Sequence, residues 1–205
     1  MPDSYKPLSP YALSTAVSNV RTSTGAEIGT VAQPTSGTVA VTAQRFGPFF
    51  VLDFVLTAAR IPVTDGAGSG SYGTLKIFDF VESGIAFLGS RQDYTAFVEG
   101  AALTTAAGDA VHVLGLGSAA ITTARDGTLT STEQDIGTVT SSITNSGGTG
   151  VGTKHTGAVT AAVDGTSTAK DLNLNWSGTA ATIDANSTID VTGTLRVVGV
   201  LLGDD

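Results

Sequence analysis

Cysteine is absent from the chain, which excludes a disulfide framework, thiol catalysis and cysteine-type zinc sites. Charge is scarce as well. Only 14% of residues are Asp, Glu, Lys or Arg, where an ordinary soluble domain carries about 25%. What charge there is runs negative, with 10 basic residues against 18 acidic ones and a net charge of −8. The basic residues are scattered and form no run. Nucleic acid needs clustered Lys and Arg to meet its phosphates, and an anionic membrane surface needs a polybasic patch. Neither partner is expected. No apolar run approaches the roughly 18 residues of a membrane span. The opening MPDSYKPLSPYALS has no apolar core of signal-peptide length, so synthesis in the cytoplasm without Sec-type export is expected.

In place of charge the 205 residues carry Thr, Ser, Asn and 26 glycines. Threonine is β-branched and suits a pleated, half-exposed strand, while glycine supplies turns. Alternating or β-branched apolar segments recur between Gly, Ser and Asn/Asp signals: Thr38–Ala43, Phe49–Thr57, Leu75–Phe80, Ile85–Leu88, Ala110–Gly115, Ala119–Thr123, Leu172–Trp176 and Thr194–Leu202. In Leu75–Phe80 strict alternation puts Leu75, Ile77 and Asp79 on one face and Lys76, Phe78 and Phe80 on the other. Glu82-Ser83-Gly84 marks a tight hairpin or corner, and Ala185-Asn186-Ser187 a hairpin turn. Arg91–Gly100 reads as a helix or a connection. About eight to ten short strands at this spacing, with no long helix, predict an all-β antiparallel sandwich, jelly-roll-like, over residues 37–205. Residues 1–36 hold four of the six prolines and only small, scattered apolar residues. They are expected to form an extended N-terminal arm, the alternative being a disordered tail. Its candidate contact residues are Tyr5, Pro7, Leu8, Pro10, Tyr11 and Leu13. A weakly charged β-rich chain with few lysines to guard its sheet edges is expected to cover them with partner subunits.

One stretch looks like chemistry: SGGTGVGTKHTG at 146–157. A phosphate-binding P-loop needs Lys directly after its last glycine and Ser or Thr after that. Here Thr153 follows Gly152 and His155 follows Lys154. The glycine spacing also fails the dinucleotide fingerprint, and Thr156–Val163 reads as a strand, so no helix N-terminus is present to meet a phosphate. The segment is expected to be a loop. His112 lies in an apolar strand and His155 on the loop, too few for most metal sites. No G-x-S-x-G elbow marks a nucleophile, and no acidic loop has calcium-binding spacing. Asp53 and Asp79 sit within apolar strands and are expected to face solvent or an interface. Trp176, with Tyr72 or Tyr94, has the makings of a sugar-stacking platform, against the simpler reading that a tryptophan in an alternating strand is core. No catalytic residue, cofactor or metal is expected, and the chain is not expected to be an enzyme.

The segment LKIFDFVESGIAFLGS resembles a Lys-Ile-x-Asp-Phe-x-Glu-Gly-x-Ile pattern of small structural proteins in tailed-phage virions. Lys76, Ile77, Asp79, Phe80, Glu82, Gly84 and Ile85 carry the likeness, and Ser83 departs from it as an insertion. DYTAFVEGAALTTAAGDA and DLNLNWSGTAATIDANSTIDVTGTLRV are similar to proteins of environmental phages. These are strand-and-turn patterns and contain no catalytic signature. The resemblance implies a capsid decoration or cement protein on the virion exterior, made in the bacterial host cytoplasm. Its implied partners are the major capsid protein and further copies of itself, as a homotrimer, with the arm reaching onto a neighbour. A tail-tube or other tail-associated protein is the alternative within virions, and a carbohydrate-binding or adhesin module is the alternative outside them.

Overall fold

A computed structural model describes residues 11–12, 19–21, 27–66, 70–80, 84–99, 112–141, 149–150, 154–157, 163–164, 171–179 and 185–202. Its strands in chain order are β1 (Tyr11–Ala12), β2 (Asn19–Arg21), β3 (Glu27–Val31), β4 (Thr38–Phe46), β5 (Phe49–Asp65), β6 (Ser71–Phe80) and β7 (Gly84–Glu99). They continue with β8 (His112–Gly117), β9 (Gly137–Ser141), β10 (Thr149–Gly150), β11 (Lys154–Gly157), β12 (Val163–Asp164), β13 (Asp171–Gly178) and β14 (Ser187–Leu201). A single 3-10 turn spans Ser131–Glu133, and no α-helix occurs among the described residues. The fold is all-β and antiparallel. One sheet runs in the order β10–β7–β14–β5–β6–β13–β8–β9 and curls into a jelly-roll-like sandwich.

The curl has a local cause. β5 is 17 residues long, far beyond the short strands expected, and its two halves point their apolar residues inward only because the phase changes midway. Phe50, Leu52, Phe54 and Leu56 are buried before the change, and Ala59, Ile61 and Val63 after it. Between them Thr57 and Ala58 together face Thr192 of β14, and Ala58 takes φ +47°. On the other side of β14 the register with β7 also shifts beside Thr192. Two bulges flanking one strand at one level bend the sheet sharply, since a bulge adds local twist. At the same level Gly193 lies against the backbone of Asp93 and Tyr94, where a Cβ has no room.

Bending brings the first half of β5 over β6. Phe50 meets Phe80 at 5.9 Å between ring centroids and Phe54 meets Phe78 at 5.8 Å. Phe87 of β7 closes the cluster on Phe80 at 5.6 Å. Phe78 and Phe80 both point inward because β6 carries its own bulge: Ile77 is the extra residue where the pairing with β13 shifts between Leu172 and Asn173. The simple alternation expected for Leu75–Phe80 is therefore interrupted. Leu75, Ile77, Phe78 and Phe80 are buried and Lys76 and Asp79 stay outside. At the far end of the order, β9 returns against β7, where the Ser90 hydroxyl donates to the Ile136 carbonyl at 2.7 Å.

Four further expectations need correction. Arg91–Glu99, expected as a helix or connection, is strand β7, held by its long pairing with β14. Ala119–Thr123 is not a strand but part of a segment, 118–136, that lies over β13. Of the hairpin or corner expected at Glu82-Ser83-Gly84, the hairpin does not form, because β6 and β7 are not neighbours in the sheet; residues 81–83 themselves lie outside the described residues. Glu27–Val31, placed in the arm, is a strand of the sheet, paired with Phe78–Phe80 and with Ile28 fully buried.

Edges receive unusual treatment. β3 is flanked by β2, and β4 by the two residues of β1, with Tyr11 opposite Ala43. The Gln33 side chain extends this cover, accepting from Val39 N at 3.1 Å and donating to Val39 O at 2.7 Å as a strand would. β7 is covered along its outer side by β10, β11 and β12 in succession. Very short strands blunt an edge because they offer little template for further pairing. The chain does much of the edge-covering that the composition had assigned to partner subunits.

Candidate functional site: an exposed sheet face

The outer face of β4, β5, β14 and β7 is built from residues that alternate with the core. In register across the sheet lie Thr42, Asp53, Arg196 and Arg91, and one step along the strands Ala40, Val55, Thr194 and Asp93. The Arg196 guanidinium grips Asp53 in a two-pronged pair, Nε to Oδ1 at 2.6 Å and Nη2 to Oδ2 at 2.9 Å. Hydrogen bonding to Asp53 pushes the Arg196 pKa above its ordinary value. Arg91 reaches Asp93 at 3.6 Å. Between these pairs runs a shallow groove of about 320 Å³, lined by Asp53, Val55, Arg91, Thr194 and Arg196 among others. In the other direction the face turns apolar. Phe46, Phe49 and Leu88 are each about half exposed, beside Val51, Val198 and Val200. Leu88 protrudes because it is the extra residue of a second bulge in β7, beside Val198–Gly199.

Two other clusters carry polar chemistry. On the outer side of β6, the Lys76 ammonium lies 3.1 Å from Asp79 and 3.6 Å from Asp171, and the two carboxyls face each other across the strand pair. Burial pushes both carboxyls up. For Asp79 the hydrogen bonds from Lys76 and Asp171 outweigh it and leave the pKa below its usual value. For Asp171 the hydrogen bond with Asp79 adds to burial and holds the pKa above it. Lys76 is raised, chiefly by its hydrogen bond to Asp79. A protonated amine is no nucleophile, so the arrangement holds charge in place and does not attack.

The second cluster is the underside of segment 118–136. β13 is buried on both faces: Leu172, Leu174 and Trp176 face the main core, and Asn173, Asn175 and Ser177 the segment. Asn175 uses its whole hydrogen-bonding capacity. Its amide nitrogen donates to Ala119 O and Glu133 O, each at 2.8 Å, and its oxygen accepts from Ile121 N at 3.0 Å and Thr74 Oγ1 at 2.8 Å. Arg125 and Thr130 N satisfy the buried Glu133 carboxylate at 2.9 and 2.8 Å, and Asp135 accepts from Ser118 N and Oγ at 2.8 and 2.7 Å. These groups pin a loop and present no cleft.

The residues singled out in the sequence fall in different places. Tyr11 is in β1; Tyr5, Pro7, Leu8, Pro10 and Leu13 lie outside the described residues. His112, in β8, stands between Gly178 of β13 and Ser141 of β9, and His155, in β11, stands opposite Gln92 of β7, so the two histidines are on strands that do not pair with each other. Within the glycine-rich stretch, Thr149–Gly150 and Lys154–Gly157 are strands on β7, not loop, while 146–148 and 151–153 lie outside the described residues. Asp53 and Asp79 both face outward, each beside a basic residue. Trp176 and Tyr94 are buried, so they offer no platform for a sugar ring. No group of three or more metal-ligating side chains occurs among the described residues. The Arg196–Asp53 pair had no sequence signal, because it joins strands 143 positions apart. No family model, curated protein or solved structure matches the chain.

Proposed function

We propose that the protein is a non-enzymatic virion structural protein that binds an assembled phage capsid shell as a decoration or cement protein. The observation that carries this reading is the cover laid over the β3, β4 and β7 edges by the chain's own short strands and by Gln33. Edges blunted in this way offer little template for strand addition, which favours a protein that adds onto a finished surface over a self-assembling tail tube. The hydroxyl-rich, weakly charged exterior suits close packing of many copies, and the likeness of 75–90 to virion proteins points the same way. The threefold state was expected from the resemblance to virion proteins. The proposal needs shell binding only, and stabilisation then follows by linkage: a protein that binds the assembled shell and not its loose parts shifts the balance towards the shell.

The test mixes the full chain with phage shells lacking it. Saturable co-sedimentation and a raised disassembly temperature of the shells are expected. No co-sedimentation, together with absence from purified particles, would overturn the proposal. Tubes growing from the chain alone would move it to the tail. The sugar-binding alternative predicts a glycan-dependent change in tryptophan emission, which the buried Trp176 does not favour.

A further inference from the structure

We infer that the outer face of β4–β5–β14–β7 is a self-complementary surface through which two copies of this chain pair, sheet face to sheet face. Charge is the first argument. The chain is weakly charged but carries −8 overall, so copies meet most readily where charge balances locally. On this face Asp53 and Asp93 are matched by Arg196 and Arg91 at 2.6 and 3.6 Å. Here the local charge balances, and a second −8 chain approaches without a net penalty.

Register is the second argument. Along β5 and β14 the directly opposed outward residues are Phe49 and Val200, Val51 and Val198, Asp53 and Arg196. A two-fold axis running parallel to these strands and between them exchanges the members of each pair. It sets Phe49 over Val200 of the second copy, Val51 over its Val198, and Asp53 over its Arg196. The apolar row then meets an apolar row, Asp53 and Arg196 each meet the opposite charge, and Arg91 and Asp93 face the uncharged Thr42 and Ala40, so no like charges are opposed. An axis across the strands would instead set Asp53 over Asp53, with like charges opposed. Aligned sheets pack in this way about 10 Å apart, close enough for the protruding Phe46, Phe49 and Leu88 to interdigitate.

Area is the third. Four strands about 4.8 Å apart and nine residues at about 3.3 Å each give a face of about 20 by 30 Å. Two such faces bury about 1,200 Å², the lower end of a specific interface. Half-exposed phenylalanines and a leucine at its apolar end are the residue types that such interfaces bury at their centres.

The experiment is the solution mass of the full chain at about 100 μM, by light scattering, for the native protein and four variants. A mass of about 41 kDa, twice the chain's 20.5 kDa, is expected for the native protein. Arg196→Asp or Asp53→Arg should return it to the monomer, and the combined exchange D53R/R196D should restore the pair. Leu88→Asp, at a side chain already more than half exposed, disrupts pairing without a folding cost and guards against misreading an unfolded variant. A monomeric native protein at that concentration, a threefold mass, or a twofold mass indifferent to Arg196→Asp and Leu88→Asp would each overturn the inference. Shell co-sedimentation of the monomeric variants is read separately. Binding kept without pairing leaves the proposed function standing, and pairing without shell binding leaves this inference standing.

Discussion

Replacing Asn175 by alanine tests the account of segment 118–136 most directly. The side chain makes four hydrogen bonds, and two of them, to Ile121 N and Glu133 O, are fully buried. Truncation leaves those two backbone groups without partners, at about 1–3 kcal/mol each. The bonds to Ala119 O and Thr74 Oγ1 are partly buried, and water replaces them at lower cost. The expected loss is about 3–5 kcal/mol, from a total that for a domain is about 5–15 kcal/mol. For a chain of this length each kcal/mol shifts Tm by about 2–4 °C, so a fall of about 6–20 °C is expected in thermal unfolding. Thr74→Val, which removes one partner and keeps the shape, should cost only about 1 kcal/mol. Urea unfolding followed by the single tryptophan, next to Asn175 in the chain, reads both variants. A loss below about 1 kcal/mol for Asn175→Ala would show that the amide does not pin the segment.

Further predictions concern ionisation and backbone strain. Asp171 is raised, so its contribution favours the fold while it holds a proton and is lost as pH rises through its folded value. Asp79 is lowered, so its contribution is present when ionised and is lost as pH falls through its own. The pair therefore serves stability best in the interval between them, around ~pH 4. Asp171→Asn, which removes the charge but keeps a donor beside Asp79, should raise Tm at pH 7 and lose that advantage near ~pH 4; an equal effect at both pH values would refute the shared-proton account. Burial pushes the Tyr94 phenol far above its ordinary value, and its hydroxyl donates to Gln92 at 2.7 Å. In an alkaline absorbance titration this phenol should ionise only as the protein unfolds, and its ionising with an exposed tyrosine would refute the buried position. Ala58, at φ +47°, occupies backbone that costs a non-glycine residue about 1–2 kcal/mol. Ala58→Gly should leave stability unchanged or raise it by up to about 1 kcal/mol in urea unfolding, against the loss usual for glycine in a strand.

The closure of the edges revises a common inference from composition. Few lysines and many threonines suggested edges in need of a partner. The structure meets part of that need, at β3, β4 and β7, with two- to four-residue strands from distant parts of the chain and with an amide side chain posing as backbone. Nothing in the spacing of Gln33 marks it for this role. It becomes an edge guard only because 32–37 turns the chain back alongside β4.

By itself the sequence determined the fold class, because period-two apolar alternation and glycine-rich punctuation are local properties that survive without knowledge of partners. It placed β4, the first half of β5, β13 and the end of β14 for the same reason, and its preference for Trp176 as core followed from strict alternation in Leu172–Trp176. The tertiary structure decided where alternation breaks. Ala58, Ile77 and Leu88 are bulges, and whether a residue is the extra one depends on the register of a neighbouring strand, which no local pattern contains. It also decided that Arg91–Glu99 extends as a strand, since pairing with β14 overrides a polar, weakly patterned stretch. Likewise the polar face of β13 faces a covering loop where strict alternation would place solvent. The candidate interface belongs to this second kind: Asp53, Arg91 and Arg196 are unremarkable in the chain and become one charge-balanced face only when β5, β14 and β7 lie side by side.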